Sequence, residues 1–230
     1  MCKKGELAKR VRRYLNVLWS RKKIYIYRWP LAANIPKIAL DGELHISHLQ
    51  SNEIKSLMTF HDNYYQDYKL FSTEDVVRRL DIGHLCFLIR HGEELVAFLW
   101  FAVRENYSPD LHCIFKASDH SVITYNGLVR TDLRGKNIFP WVMAKAFCEL
   151  SRAGYVEAFG YNHSANTSSL RATAKLGART HVGTITCGYF LGYYFFLPKI
   201  KQGAGVKVYF SGSPWHRYKG FLSRGRLRFG

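Results

Sequence analysis

Two runs, HLCFLIR (84–90) and ELVAFLWFAV (94–103), are apolar at almost every position, and only His91, Gly92 and Glu93 separate them. A connection this short makes an antiparallel hairpin. A strand with one wet face alternates apolar and polar residues; these two do not, so both of their faces are covered. The chain must therefore place layers above and below a central sheet.

The rest of the chain supplies those layers. Alternation in KIYIYRW (23–29), closed by Pro30, and in ELHISHL (43–49) predicts strands. Ser51 is the expected cap of a helix through NEIKSLMTFHDNYY, and Thr73 the cap of one through EDVVRRLDI that stops at Gly83. After a loop around Pro109, SVITYNGLV (121–129) predicts a strand. FPWVMAKAFCELSRAG predicts a helix stopping at Gly154, YVEAFGY a strand, and NTSSLRATAKLG a helix capped by Asn166 or Thr167 and closed by Gly177. HVGTITCGYFLGYYFFL reads as two buried strands, because its Thr, Tyr and Gly content suits a sheet better than a membrane-spanning helix. The order is strand, two helices, three strands, helix, strand, helix, strands: an α/β sheet of mixed direction with helices on both faces.

Charge divides the 230 residues into three. Residues 1–28 hold ten Lys/Arg and one acid, residues 199–230 hold eight Lys/Arg and no acid, and residues 29–198 hold sixteen of each. The expected organisation is a basic N-terminal arm (1–28), a neutral folded domain (29–198) and a basic C-terminal tail (199–230) to which VKVYF adds a strand. Basic arms on a neutral body suit an anionic membrane surface, a nucleic acid or a polyanionic substrate; a bias toward solubility accounts for the same charge without a partner. ELAKRVRRYLNVLW (6–19) sets Leu7, Val11, Tyr14, Leu15 and Leu18 at helical spacing among Lys9, Arg10, Arg12 and Arg13. Such a helix either lies on an anionic membrane with Trp19 at the interface or docks on its own domain. The five cysteines (Cys2, Cys86, Cys113, Cys148, Cys187) form no CxxC pair; Cys86, Cys148 and Cys187 read as reduced core residues, and no metal site is expected. No apolar segment of signal-peptide type follows the basic start, so the expectation is a cytoplasmic protein, at most peripheral at the inner face of the membrane.

VRTDLRGKNIFPW (129–141) joins a strand to a helix. The first N–H groups of a helix lack internal partners, and its dipole favours anions there. Arg134 and Lys136 add charge, and Gly135 lets the backbone approach a ligand. A diphosphate is the natural guest. An ordinary basic turn has the same composition, and only a second signal separates the two readings.

That signal is YNHSANTSSLRATAKLGA, about thirty residues on. Together the segments resemble the GNAT (Gcn5-related N-acetyltransferase) superfamily. Its pyrophosphate-binding segment, V-x-P-E-Y-R-G-K-G-I-G, is matched in order by Val129, Asp132, Leu133, Arg134, Gly135, Lys136 and Ile138. Its N-x-x-S-x-x-x-x-x-K-L-G-F is mirrored by Asn166, Ser169, Lys175, Leu176, Gly177 and Ala178. The resemblance covers roughly 43–197. It implies a mixed, mostly antiparallel sheet with helices on both faces and a splayed parallel strand pair, formed here by SVITYNGLV and YVEAFGY. It implies acetyl-CoA or another acyl-CoA as cosubstrate: Leu128 and Val129 at the pantetheine arm, N–H groups from Arg134 through Gly135, Lys136, Asn137 and Ile138 to Phe139 at the pyrophosphate, Asn166 near the pantetheine, and Ser169 and Arg171 as further contacts. Asn137 and Phe139 replace the family's two glycines. Asn tolerates the left-handed backbone that glycine supplies, whereas Phe139 puts a large ring where the helix meets the cofactor.

Amide formation from a thioester needs a base for the ammonium proton and an acid for the leaving thiolate. The family's usual Glu and Tyr are replaced: the strand position holds Tyr125 or Asn126, the helix position Thr173. Tyr125, His163 and His120 are the substitute catalytic candidates, with Asp119 beside them; each also reads as an ordinary solvent-facing loop residue. A backbone N–H on the strand could polarise the carbonyl instead. The tyrosines of HDNYYQDY (61–68) could stack on an acceptor sugar or base, or simply pack. The resemblance thus implies N-acylation of a primary amine by acyl-CoA, the acceptor being an amino sugar (nucleotide-linked or free), an amino acid or a protein N-terminus. A non-catalytic CoA- or anion-binding module, and a nucleic-acid-binding protein using its basic ends, are the alternatives.

Overall fold

The computed structural model describes residues 19–31, 35–40, 43–65, 71–191 and 193–211. The expected helix over 6–18, residues 66–68 of the tyrosine-rich stretch and the tail beyond 211 lie outside them.

Eleven strands and four α-helices are formed among these residues. In chain order they are β1 (Trp19–Pro30), β2 (His45–His48), α1 (Ile54–Tyr64), α2 (Thr73–Asp81), β3 (Leu85–His91), β4 (Glu94–Val103), β5 (Glu105–Ser108), β6 (Cys113–Ala117), β7 (Ser121–Val129), α3 (Ile138–Arg152), β8 (Glu157–His163), α4 (Thr167–Ala174), β9 (Thr180–Phe190), β10 (Tyr193–Ile200) and β11 (Val206–Phe210). Eight strands make one sheet in the order β10-β9-β1-β8-β7-β4-β3-β2, and β11-β6-β5 make a second. All pairs are antiparallel except β7 with β8. This is the mixed sheet that the sequence implies.

The apolar hairpin sits where its composition requires. Residues 95–102 of β4 are all buried. Leu95, Phe98, Trp100 and Ala102 enter one core, packed with Leu57 and Phe60 of α1 and Val76 of α2. Val96, Ala97, Leu99 and Phe101 enter the other, packed with Val142, Met143, Ala146, Phe147 and Leu150 of α3. Burial of two such faces is the main favourable term in folding.

Several local expectations are corrected. Gln50, not Ser51, caps the first helical turn, and Ser72, not Thr73, caps α2: its hydroxyl accepts from Asp75 N–H at 3.2 Å while the Asp75 carboxylate accepts from Ser72 N–H at 3.1 Å. The loop around Pro109 is a second hairpin, β5–β6, extended by β11. Cys148 is exposed; Cys86, Cys113 and Cys187 are buried and free. Of the two strands expected to be buried, β10 is largely exposed at the sheet edge. No described helix is long and apolar enough to cross a membrane. The basic ends contribute to the sheets, since β1 begins at Trp19 and β11 follows residue 199.

Candidate functional site

β7 and β8 run side by side only from Ser121↔Glu157 to Thr124↔Gly160. Beyond that pair they separate, because each is held by its outer neighbour: β7 stays on β4 as far as Ala97↔Val129, and β8 stays on β1 as far as Ile24↔His163. The β8-facing backbone groups of 125–129 therefore have no strand opposite them. The β4–β7 register shifts between Phe98 and Trp100, so that Asn126 and Gly127 oppose Leu99 alone. Asn126 takes φ 43°. An extra residue of this kind bends its strand and raises its twist, which drives β7 away from β8.

The bulge also disposes of the ring at Phe139. A Cβ on Gly127 would lie 2.7 Å from the Phe139 ring and 2.8 Å from Leu99 Cδ1. The absent side chain at 127 is the space the ring occupies, so the half-buried Phe139 ring lies against the bulge. Gly127→Ala is expected to cost about 1–3 kcal/mol by overpacking, with part of it recovered by adding Phe139→Leu. Matching denaturant midpoints for parent and Gly127→Ala would mean the ring does not rest there.

The turn after β7 leaves a run of backbone N–H groups unpaired. Gly135 (φ 83°) and Asn137 (φ 61°) are both left-handed, and Asn137 caps α3. Trp141 N–H donates to Asn137 C=O at 3.1 Å, and Pro140 has no N–H. The N–H groups of residues 135–139 donate to no backbone or side-chain group among the described residues. A Cβ at Gly135 would meet nothing within 4 Å. Five unpaired donors beside open space could hold an anion such as a diphosphate. The Lys175 ammonium donates to Asn137 Oδ1, so the two sequence motifs meet in space. Asn137 thus takes the left-handed angle of the missing glycine and ties the turn to the end of α4. Lys136 is exposed; Arg134 folds back, its Nε–H donating to Val129 C=O at 3.3 Å. Leu128, Val129 and Ile138 have buried side chains and offer backbone only.

No protein-family model and no curated protein sequence matches this chain. Solved structures do resemble it. One is a GCN5-related N-acetyltransferase from Sphaerobacter thermophilus, with a TM-score of 0.54 and 12% identity over 84% of this chain. Another is a GNAT-family acetyltransferase from Colwellia psychrerythraea, with a TM-score of 0.52 and 13% identity over 79% of this chain. The chain has the GNAT fold. It spans 56% of the first protein and 60% of the second, under two thirds of either length.

Within the GNAT fold the sequence candidates divide. His120 immediately precedes β7, and its carbonyl accepts from Val156 N–H at the paired end of the strands. Six residue steps along the strand, about 20 Å, separate it from the bulge. It and Asp119, which pairs with Arg104, are at the wrong end. His163 ends β8 at the open end. Its Nδ1 accepts from Ala165 N–H at 3.0 Å, and burial followed by the Lys22 charge lowers its pKa. In its neutral form the remaining nitrogen, Nε2, carries the proton and can donate but not accept. Thr173 is fully engaged: it donates to Ser169 C=O at 2.8 Å and accepts from Arg179 at 2.9 Å. Asn166 Oδ1 caps α4, accepting from Ser169 N–H at 3.0 Å, which leaves its amide group for a ligand.

Tyr125 and Tyr161 each follow the last β7–β8 pair and so stand at the fork, in the core beside α1 and α2. No sequence motif marks Tyr161; the only signal is that the strand-forming run YVEAFGY ends on it. Tyr161 Oη accepts from Asn106 Nδ2 at 3.2 Å, and its ring stacks on Phe115 at 4.3 Å. Burial pushes its pKa up to about 12 and raises that of Tyr125 also. Both stay protonated at neutral pH and can only give a proton. Tyr125 Oη lies 2.7 Å from His84 Nδ1. His84 also meets a backbone group of Glu105; with its other nitrogen donating there, Nδ1 accepts from the tyrosine. Burial, then the Arg79 charge, lowers His84 to about 4. The Arg79 guanidinium stands 4.8 Å, 5.2 Å and 5.0 Å from the rings of Phe71, Trp100 and Tyr125, and its Nη1 has no hydrogen-bond partner among the described residues. No group of three or more metal-ligating side chains occurs among the described residues.

Proposed function

We propose that this protein transfers an acyl group from acyl-CoA to a primary amine. The observation that carries this reading is the fork itself: a parallel pair opened by a bulge, with five free N–H groups in the turn where β7 ends. The turn would hold the diphosphate of acetyl-CoA, and the unpaired backbone of 125–129 would take the pantetheine arm and polarise the thioester carbonyl. The neutral amine attacks the carbonyl carbon, the C–S bond breaks, the thiolate takes a proton from a donor at the fork, and the proton shed by the amine nitrogen as the amide forms returns to that donor. Tyr161 is the donor at the fork, because the Tyr125 proton is already given to His84. Residues 125–129 and 161–163 contain no carboxylate, so the ammonium proton leaves to water before attack. The acceptor class we favour is a small amine such as an amino sugar, free or nucleotide-linked.

The first test is thermal: acetyl-CoA should raise the melting temperature of the full chain by linkage. No shift at millimolar acetyl-CoA would sink the proposal. Thiol release with a panel of amino sugars then tests turnover. Tyr161→Phe is expected to slow turnover about a hundredfold, the lower end for a positioned proton donor, with the acetyl-CoA melting shift retained. Undiminished turnover would remove Tyr161 from the mechanism. A shift without turnover for any amine would favour a non-catalytic CoA-binding module, a reading supported by the engagement of Tyr125 with His84.

A further inference from the structure

The β1–β9–β10 end of the large sheet carries a second surface, remote in character from the fork. Cross-strand register stacks its residues into rows on one face. Trp19, Phe190 and Tyr193 form the first row, and the rows behind it include Arg21, Lys23 with Leu197, and Lys199. Residues directly opposite across neighbouring strands share a face, so these side chains form one surface. The other face of the same strands is core: Ile24, Ile185, Cys187 and Tyr194 are buried. Leu197 is 63% exposed, Trp19 58% and Phe190 53%, and Leu191 in the adjoining turn is 61% exposed. The Trp19 and Phe190 rings meet edge to face at 5.8 Å. The three strands contain five Lys/Arg and no carboxylate.

Charge decides what can cover such a face. Residues 1–18 carry six Lys/Arg and one acid, and residues 212–230 five Lys/Arg and no acid; both ends would be repelled. A second copy of the chain would bring the same cations to the contact. The occupant must be anionic and must also take up exposed aliphatic side chains. Bases of a nucleic acid stack on aromatic rings but give Leu191 and Leu197 no apolar interior to enter. An anionic bilayer meets both demands: phosphates for Arg21, Lys23 and Lys199, the headgroup zone for Trp19 and Tyr193, and acyl chains for the leucines.

We infer that this face docks the protein on an anionic lipid surface. The six Lys/Arg among residues 1–18 carry the same sign of charge. Docking there is independent of the acyl-transfer reading, because it uses no residue of the fork or of the 129–141 turn.

The test is co-sedimentation of the full chain with vesicles of phosphatidylglycerol and phosphatidylcholine in equal parts, and with phosphatidylcholine alone. The chain is expected to bind the first and not the second, and to be released by salt. Leu197→Asp with Phe190→Ser, and separately Arg21→Glu with Lys23→Glu, should each lower the partition coefficient about tenfold or more. Lys207→Glu on β11 should leave it within about twofold, being off the face. Equal binding by parent and both double variants would overturn the inference, as would failure of the parent to bind the anionic vesicles. A preference for a single-stranded oligonucleotide over those vesicles would overturn it as well. The acetyl-CoA melting shift of the same variants should be unchanged, so failure here and failure of the acyl-transfer reading are told apart.

Discussion

Gly135→Asp is expected to abolish the thermal stabilisation that acetyl-CoA confers on the full chain. Ligand at about a hundredfold excess over Kd adds about 2.7 kcal/mol to stability, a shift of several degrees for a chain of this size. A carboxylate placed about 4 Å from a phosphate at a protein surface costs about 4 kcal/mol per charge pair, which exceeds the whole gain. Nothing lies within 4 Å of a Cβ at 135, so no clash confuses the result. The left-handed backbone there, φ 83°, imposes its own small strain on any side chain. Gly135→Asn carries the same shape and strain without the charge, and should keep most of the shift. If Asp and Asn variants respond alike to acetyl-CoA, the diphosphate is not in this turn.

That turn was legible in the sequence because everything that shapes it is local. Gly135 and Asn137 supply the left-handed angles, Pro140 opens the helix, and apolar spacing carries α3 onward to Leu150. The same holds for β3, β4 and β7, whose bounds follow their apolar runs closely. Where two polar residues could each cap, as Ser72 and Thr73 could, local chemistry alone does not choose between them. The β5–β6 hairpin was hidden because ENYSPDLHCIFKA has too few alternating apolar residues to mark strands; its pairing comes from packing on β7 and β11. The rest of the site depends on register. Tyr125 and His84 lie 41 positions apart and meet only because α2 delivers His84 to the β3 side of the fork. Gly127 reads as a weak point in a strand until Phe139 is found in the space above it. His120 is near the motifs along the chain, and such nearness carries no information about which end of a parallel pair opens.

Acidification from pH 6.5 to pH 4 is expected to remove up to about 3 kcal/mol of stability through His84 alone. The imidazole is held at about 4 in the folded protein, against 6.5 for the free side chain. Burial and the neighbouring Arg79 guanidinium both oppose its charging, and the tyrosine proton already occupies Nδ1. Because the folded value is the lower one, the unfolded chain binds more protons between the two values, and stability falls as pH falls through that window. Two and a half pKa units at about 1.4 kcal/mol each set the upper size of the effect. Well above pH 6.5 both states are neutral and the group contributes no slope. His84→Gln retains a side chain that can accept from Tyr125 but does not titrate. Its unfolding free energy, from denaturant melts, should be flatter between pH 6.5 and 4.5 than that of the parent, while carboxylate effects below that range stay common to both. Parallel profiles would mean that His84 charges freely in the folded state. The Arg79 and Tyr125 contacts could not then hold it neutral, and the buried cation beside the fork would have to be matched by some other group.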